Sequence, residues 1–202
     1  MRCYLALLFL LVGVAPFSAV KAQKRFQPGY LVLQRGDTVR GQLVAPTRST
    51  MARGVLFRRD EKTVDEIFYS VKLLRGVSLT GGKKYVVRKM LPIMRRDTLR
   101  LLLEPLAQGQ ANLYLSTYNL YTNHLDEVYS NLFSTLYYYV ESAANPTRPP
   151  YLLQSTTFRS DLASLFSDCS SAPAITGKFS EVNLIRLVQE YNTCASHLTQ
   201  LK

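Results

Sequence analysis

The chain has 202 residues, with 25 Lys and Arg against 14 Asp and Glu, a formal net charge of +11. That length is one ordinary domain, and a hydrophobic share of 47% is enough to build a real core. Two His make any zinc site depend on both histidines plus carboxylates from distant segments, the absence of Trp weakens a sugar-stacking reading of the tyrosines, and after the first residues no run is long and apolar enough for a transmembrane helix.

Residues 1–22 read as a signal peptide. Arg2 supplies a positive start, Leu5 to Val14 a short apolar run, and Val20-Lys21-Ala22 a cleavage site before Gln23. Cys3 precedes the apolar run, so it is not positioned as a lipid-modified cysteine after cleavage. The expectation is an exported protein, periplasmic, outer-membrane-associated or secreted. Losing Arg2 and Lys21 leaves +9, unevenly spread. Residues 23–100 hold 18 Lys/Arg against 6 Asp/Glu, a net of +12, and residues 101–202 hold 5 against 8, a net of −3.

Gly29 to Val44 reads as a β-hairpin around Arg35-Gly36-Asp37. A three-residue loop, Gln34-Arg35-Gly36 with Gly36 left-handed, pairs Leu31 with Val39. It places Leu31, Leu33, Val39 and Leu43 on one face and Tyr30, Thr38, Arg40 and Gln42 on the other. Arg-Gly-Asp is also an integrin-ligand tripeptide, but Gly and Asp here are ordinary turn residues. Val55-Leu56-Phe57 is a short strand, and Val64 to Tyr69 fits a helical turn opened by Asp65 and Glu66. Val71 to Leu79 and Tyr85 to Met94 are strand-like around Gly81-Gly82, as are Thr98 to Leu106 and Ala111 to Tyr118 around Gln108-Gly109-Gln110. Asn119 to Ser130 is a polar loop, and Leu132 to Glu141 is a strand. Asn145 to Pro150 breaks the chain.

Beyond that break the pattern turns helical. Ser160 is placed to cap a short helix burying Leu162, Leu165 and Phe166. Ser180 is placed to cap a last helix with a stripe of Leu184, Leu187, Val188, Tyr191, Ala195 and Leu198. The expected fold is α+β: a mostly antiparallel β sandwich or small barrel over residues 23–156, followed by a helical pair over 157–202 packed on it. Signal removal leaves two cysteines, Cys169 and Cys194, and an even count in an exported chain argues for a disulfide. A redox pair would sit as Cys-x-x-Cys, which this is not.

Phe26-x-Pro-Gly-Tyr30, Gly36-Asp-Thr-Val-Arg-Gly41, Gly109-x-x-x-Leu-Tyr114, Asp168-Cys169 and Tyr191-Asn-x-Cys194 occur in this order. The combination resembles a family of uncharacterised exported proteins common in the Bacteroidetes. The resemblance implies a cell-envelope setting and the pairing of Cys169 with Cys194. It carries no assigned activity and therefore no catalytic residues.

The motifs that would state a reaction are missing from this sequence. Gly76 to Lys84 approximates a phosphate-binding loop, but Lys84 stands where Ser or Thr should bind magnesium, and a strand follows instead of a helix. A Gly-Gly hairpin turn explains it. No Gly-x-Ser-x-Gly elbow occurs, and His124 with Asp126 and Glu127 reads as a polar loop. Seven tyrosines cluster between Tyr114 and Tyr139. Alternation sends Tyr137 and Tyr139 to one side and Tyr138 to the other.

The leading expectation is a non-enzymatic envelope-binding module with no cofactor and no metal, not integral to the membrane. Its basic half would contact an anionic envelope lipid, an acidic polysaccharide or an envelope protein through Arg40, Arg58, Arg59, Lys83, Lys84, Arg88, Arg95 and Arg96. Nucleic acid is set aside because an exported protein rarely meets it. The competing account of these charges is plain solvation of outward strand positions. The rival functions are an envelope hydrolase with a spatially assembled site, and an eight-stranded outer-membrane barrel, which the C-terminal amphipathic helix argues against.

Overall fold

The computed structural model describes residues 25–91, 98–118, 136–143, 148–169 and 173–200, without the side chains of 196–200. The expected signal peptide, Arg95, Arg96, His124, the loop 119–130, Tyr121, Tyr129 and the side chains of His197 and Leu198 lie outside the described residues.

Among the described residues ten strands form one sheet in the order β10-β9-β8-β7-β6-β5-β1-β2-β3-β4. They are β1 (Phe26–Leu33), β2 (Thr38–Val44), β3 (Gly54–Arg58), β4 (Ile67–Ser70), β5 (Leu74–Leu79), β6 (Lys84–Met90), β7 (Leu99–Ala107), β8 (Ala111–Ser116), β9 (Tyr137–Ser142) and β10 (Tyr151–Leu153). Every pairing is antiparallel. Helices α1 (Phe158–Leu165) and α2 (Glu181–Gln200) follow the sheet. The α+β architecture expected from the sequence is the one observed.

Strand β7 joins two halves of the sheet. Its first residues pair with β6 and its last with β8, with a register shift between Pro105 and Ala107. A proline in a central strand needs such an irregularity, because it has no N–H to give the ladder. On the β1 side the sheet curls. The Leu102 N–H of β7 donates to Met51 O at 3.0 Å, so the turn after β2 returns to β7. Leu31, Leu43, Phe57, Leu74, Val77, Tyr85 and Leu102 share the enclosed core. This half has the curvature of a small barrel, while among the described residues β4 and β10 stay the two ends of an open sheet. On the β9 side, α1 and α2 bring Leu162, Phe166, Leu184, Leu187, Val188 and Tyr191 onto Leu113, Tyr138 and Val140.

The opening hairpin adopts the expected register. Leu31 pairs with Val39, Leu33 N–H donates to Asp37 O at 2.8 Å, and Gly36 takes φ 99°. Gly82 repeats this at φ 89°, with Leu79 N–H donating to Lys83 O at 2.8 Å. The phosphate-loop lookalike is therefore a hairpin turn.

Four local expectations need correcting. Val64 to Tyr69 is not a helical turn: Ile67–Ser70 is strand β4, because Ile67, Phe68 and Tyr69 favour a pleated surface and β3 supplies the ladder. Val71–Leu73 forms a 3₁₀ turn rather than the start of a strand. Tyr151–Leu153, given no element above, pairs with β9. Ser160 is not a cap. Thr157 holds the N-cap position of α1, and the Ser160 hydroxyl donates back to Thr157 O at 2.8 Å. Ser180 does cap α2, accepting from Asn183 N–H at 3.4 Å.

A candidate anion-binding face and cleft

Strand register decides where the basic residues point. On β2, Arg40 alternates with the core residues Val39 and Leu43 and therefore faces outward. Tyr30 pairs with Arg40 and with Ser78, and Ser78 pairs with Lys84. Arg40, Tyr30, Ser78 and Lys84 thus form one row across four strands, its two cations about 14 Å apart by strand spacing. Gln42 pairs with Arg58, which puts Arg58 on the same face, and Arg88 joins it four residues along β6 from Lys84.

The other predicted contacts fall differently. Arg59 is exposed after β3. Lys83 lies in the β5–β6 turn and forms an exposed ion pair with Glu104 at 3.4 Å. The Arg58 guanidinium lies 4.3 Å from the Phe26 ring centroid. Four of the eight predicted residues therefore share the outer sheet face, two lie elsewhere on the surface, and two are outside the described residues.

The same face continues through β7 to β9, and there Arg88 meets two residues that the sequence reading did not select as site residues. Its Nε donates to Glu141 Oε2 at 3.0 Å and to the Tyr114 hydroxyl oxygen at 3.1 Å. The Tyr114 hydroxyl donates to the same Glu141 oxygen at 2.6 Å. Asn112 pairs with Glu141 and Tyr114 with Tyr139 across β8 and β9, which brings both partners onto the Arg88 side. Burial would lower the Arg88 pKa, but Tyr114 and Glu141 outweigh it and hold the guanidinium charged. Burial and the bond to Glu141 push the Tyr114 phenol well above its usual value, so it is a neutral donor.

This cluster borders a cleft of about 830 Å³. Arg88, Asn112, Glu141, Ser142, Arg148 and Pro149 are among its lining residues. Lys89 also borders it. Among the described residues the lining carboxylate is Glu141, and its Oε2 is already shared by Arg88 and Tyr114. The Arg88 Nη1 donates to Val87 O at 3.3 Å, which leaves Nη2 without a protein partner among the described residues. Arg148 lies 5.7 Å from the Tyr151 ring centroid. No sequence motif marks this arrangement: Arg88, Tyr114, Glu141 and Arg148 come from four segments, and only strand pairing assembles them.

Gly109, Asp168-Cys169 and Tyr191-Asn-x-Cys194 of the family-like motifs converge elsewhere, on a structural latch, whereas Tyr114 joins the Arg88 cluster. Cys169 and Cys194 are joined as a disulfide with Cα atoms 6.4 Å apart. The Tyr191 hydroxyl donates to Asp168 at 2.9 and 3.1 Å, and its ring stacks on Phe166 at 4.3 Å. Asn192 accepts from Ala111 N–H at 2.7 Å and donates to Ala111 O at 2.9 Å. A Cβ on Gly109 would lie 2.5 Å from the Asn192 amide carbon, so glycine is what lets the β7–β8 turn approach α2. These motifs dock helix to sheet.

Among the described residues no group of His, Cys, Asp and Glu is placed to hold a metal ion, and no helix is long and apolar enough to cross a membrane. Comparison with protein-family models, curated proteins and solved structures finds no match.

Proposed function

We propose that this protein is an exported, non-enzymatic binding module of the cell envelope that engages an acidic partner through the outer face of its sheet. The observation that carries this reading is the register that sets Arg40, Arg58, Lys84 and Arg88 on the face away from Leu31, Leu43 and Tyr85, with Arg88 beside a further buried cluster of Met90, Leu101, Leu103, Tyr114 and Tyr139 on that same face. Plain solvation of outward positions accounts for Arg40 and Lys84 singly. It does not account for Arg88, which is half-buried at a cleft that also takes Arg148. The disulfide fits an oxidising, exported setting, and the resemblance to exported Bacteroidetes proteins agrees with it. The cleft carboxylate is engaged by Arg88 and Tyr114, an arrangement that fixes a guanidinium rather than one that frees a base.

The test is binding of the mature protein to dextran sulfate and to phosphatidylglycerol vesicles across a salt series. Binding at low ionic strength that weakens as salt rises is expected, since exposed charges are screened. Failure to bind either surface at low salt would overturn the reading.

A further inference from the structure

We infer that the cleft beside Arg88 binds carboxylated sugar units, making the partner an acidic polysaccharide; this rests on the anion-binding reading above. Its volume of about 830 Å³ far exceeds one small anion and lies within the range of about 300–1,000 Å³ usual for organic ligands. Its lining combines three chemistries. Arg148 supplies a guanidinium fork that suits a carboxylate, and Arg88 adds a second, charged guanidinium beside it. Asn112 and Ser142 supply neutral hydrogen-bonding groups suited to hydroxyls. Pro149 and Pro150 supply apolar surface.

The Arg88 guanidinium is held before any ligand arrives. Nε is fixed by Glu141 and Tyr114 and Nη1 by Val87 O, and among the described residues Nη2 is left for a ligand. Such preorganisation reduces the ordering cost of binding. An acyl chain would require continuous apolar lining, whereas here Asn112, Glu141 and Ser142 interrupt it. A ring bearing one carboxylate and several hydroxyls matches this mixture of cationic, polar and apolar surface.

Calorimetric titration with trigalacturonate at low ionic strength tests the assignment. Saturable binding is expected, weakened about tenfold by Arg148→Gln and abolished when the methyl-esterified trisaccharide replaces the acid. Arg148 is exposed, and an unchanged thermal midpoint would confirm that the variant folds. Unchanged affinity in Arg148→Gln, or equal binding of the ester, would overturn the assignment. Binding to phosphatidylglycerol vesicles without binding to trigalacturonate would also overturn it, while leaving the anionic-partner reading intact. Failure to bind trigalacturonate, dextran sulfate and phosphatidylglycerol vesicles alike would remove both.

Discussion

Replacing Glu141 with Ala would strand two partners at once, the Arg88 guanidinium and the Tyr114 hydroxyl. The Arg88 side chain is 32% exposed and that of Glu141 only 9%, so water would recover part of the loss. We expect a destabilisation of about 2 kcal/mol, against about 1 kcal/mol for Tyr114→Phe, both read from urea unfolding at neutral pH. Equal stability of Glu141→Ala and the parent would contradict the triad. The buried phenols set a separate, alkaline limit. Burial first, then Glu104, pushes Tyr85 from 10.0 to about 12. Burial, then Asp161, does the same to Tyr151, and burial, then the hydrogen bond to Asp168, to Tyr191. Folded values above the unfolded one mean that the folded state retains protons the unfolded chain releases. The stabilisation is whole below pH 10 and is lost as pH rises from 10 to about 12. Spectrophotometric titration should therefore show phenol ionisation coinciding with unfolding in that window. Normal titration of these tyrosines in the folded protein would refute the burial argument.

At the scale of elements, the contact between α2 and the β7–β8 turn depends on a matched pair, Gly109 and Asn192. Gly109→Ala forces its Cβ into the Asn192 amide and should cost about 1–3 kcal/mol. Asn192→Ala leaves the Ala111 N–H and C=O without their partner and should cost a similar amount. The double variant should cost less than the sum, because removing Asn192 removes the clash; additive costs would show that the two positions do not meet. The disulfide adds to the same junction. Its sequence separation of 25 gives about 3.5 kcal/mol on the chain-entropy model, so reduction should lower the thermal midpoint. Mass mapping of unreduced peptides should find Cys169 joined to Cys194, and free thiols would contradict the bridge. Hairpins and the stripe of α2 were legible in the sequence because alternation and helical spacing are local signals. The β4 strand was not, because Asp65 and Glu66 imitate a helix start while the ladder that makes it a strand comes from β3. The buried cluster was hidden for a related reason: Arg88 and Glu141 are 53 residues apart, and their meeting depends on the pairings through β7 and β8.

At the scale of the whole molecule, the sheet separates two kinds of surface. The helices and the curled strands enclose two apolar clusters, while the other face carries cations from β2, β3 and β6 and, over β6 to β9, a third buried cluster of Met90, Leu101, Leu103, Tyr114 and Tyr139. The charge imbalance between the two halves of the sequence suggested a basic surface, but it could not separate facing residues from scattered ones. Register does: Lys83 turns to Glu104, whereas Arg40 and Lys84 lie in one row. If that row meets the partner, its charges act together, and the salt dependence of binding reports how many take part. The most direct test is to compare dextran sulfate binding by residues 23–202 and by their Arg40→Glu/Lys84→Glu variant, since both positions are exposed and neither supports the core. The account predicts at least about a tenfold loss of affinity at low ionic strength and a flatter salt dependence, with the thermal midpoint unchanged. Equal affinity and an equal salt slope in the two proteins would contradict it.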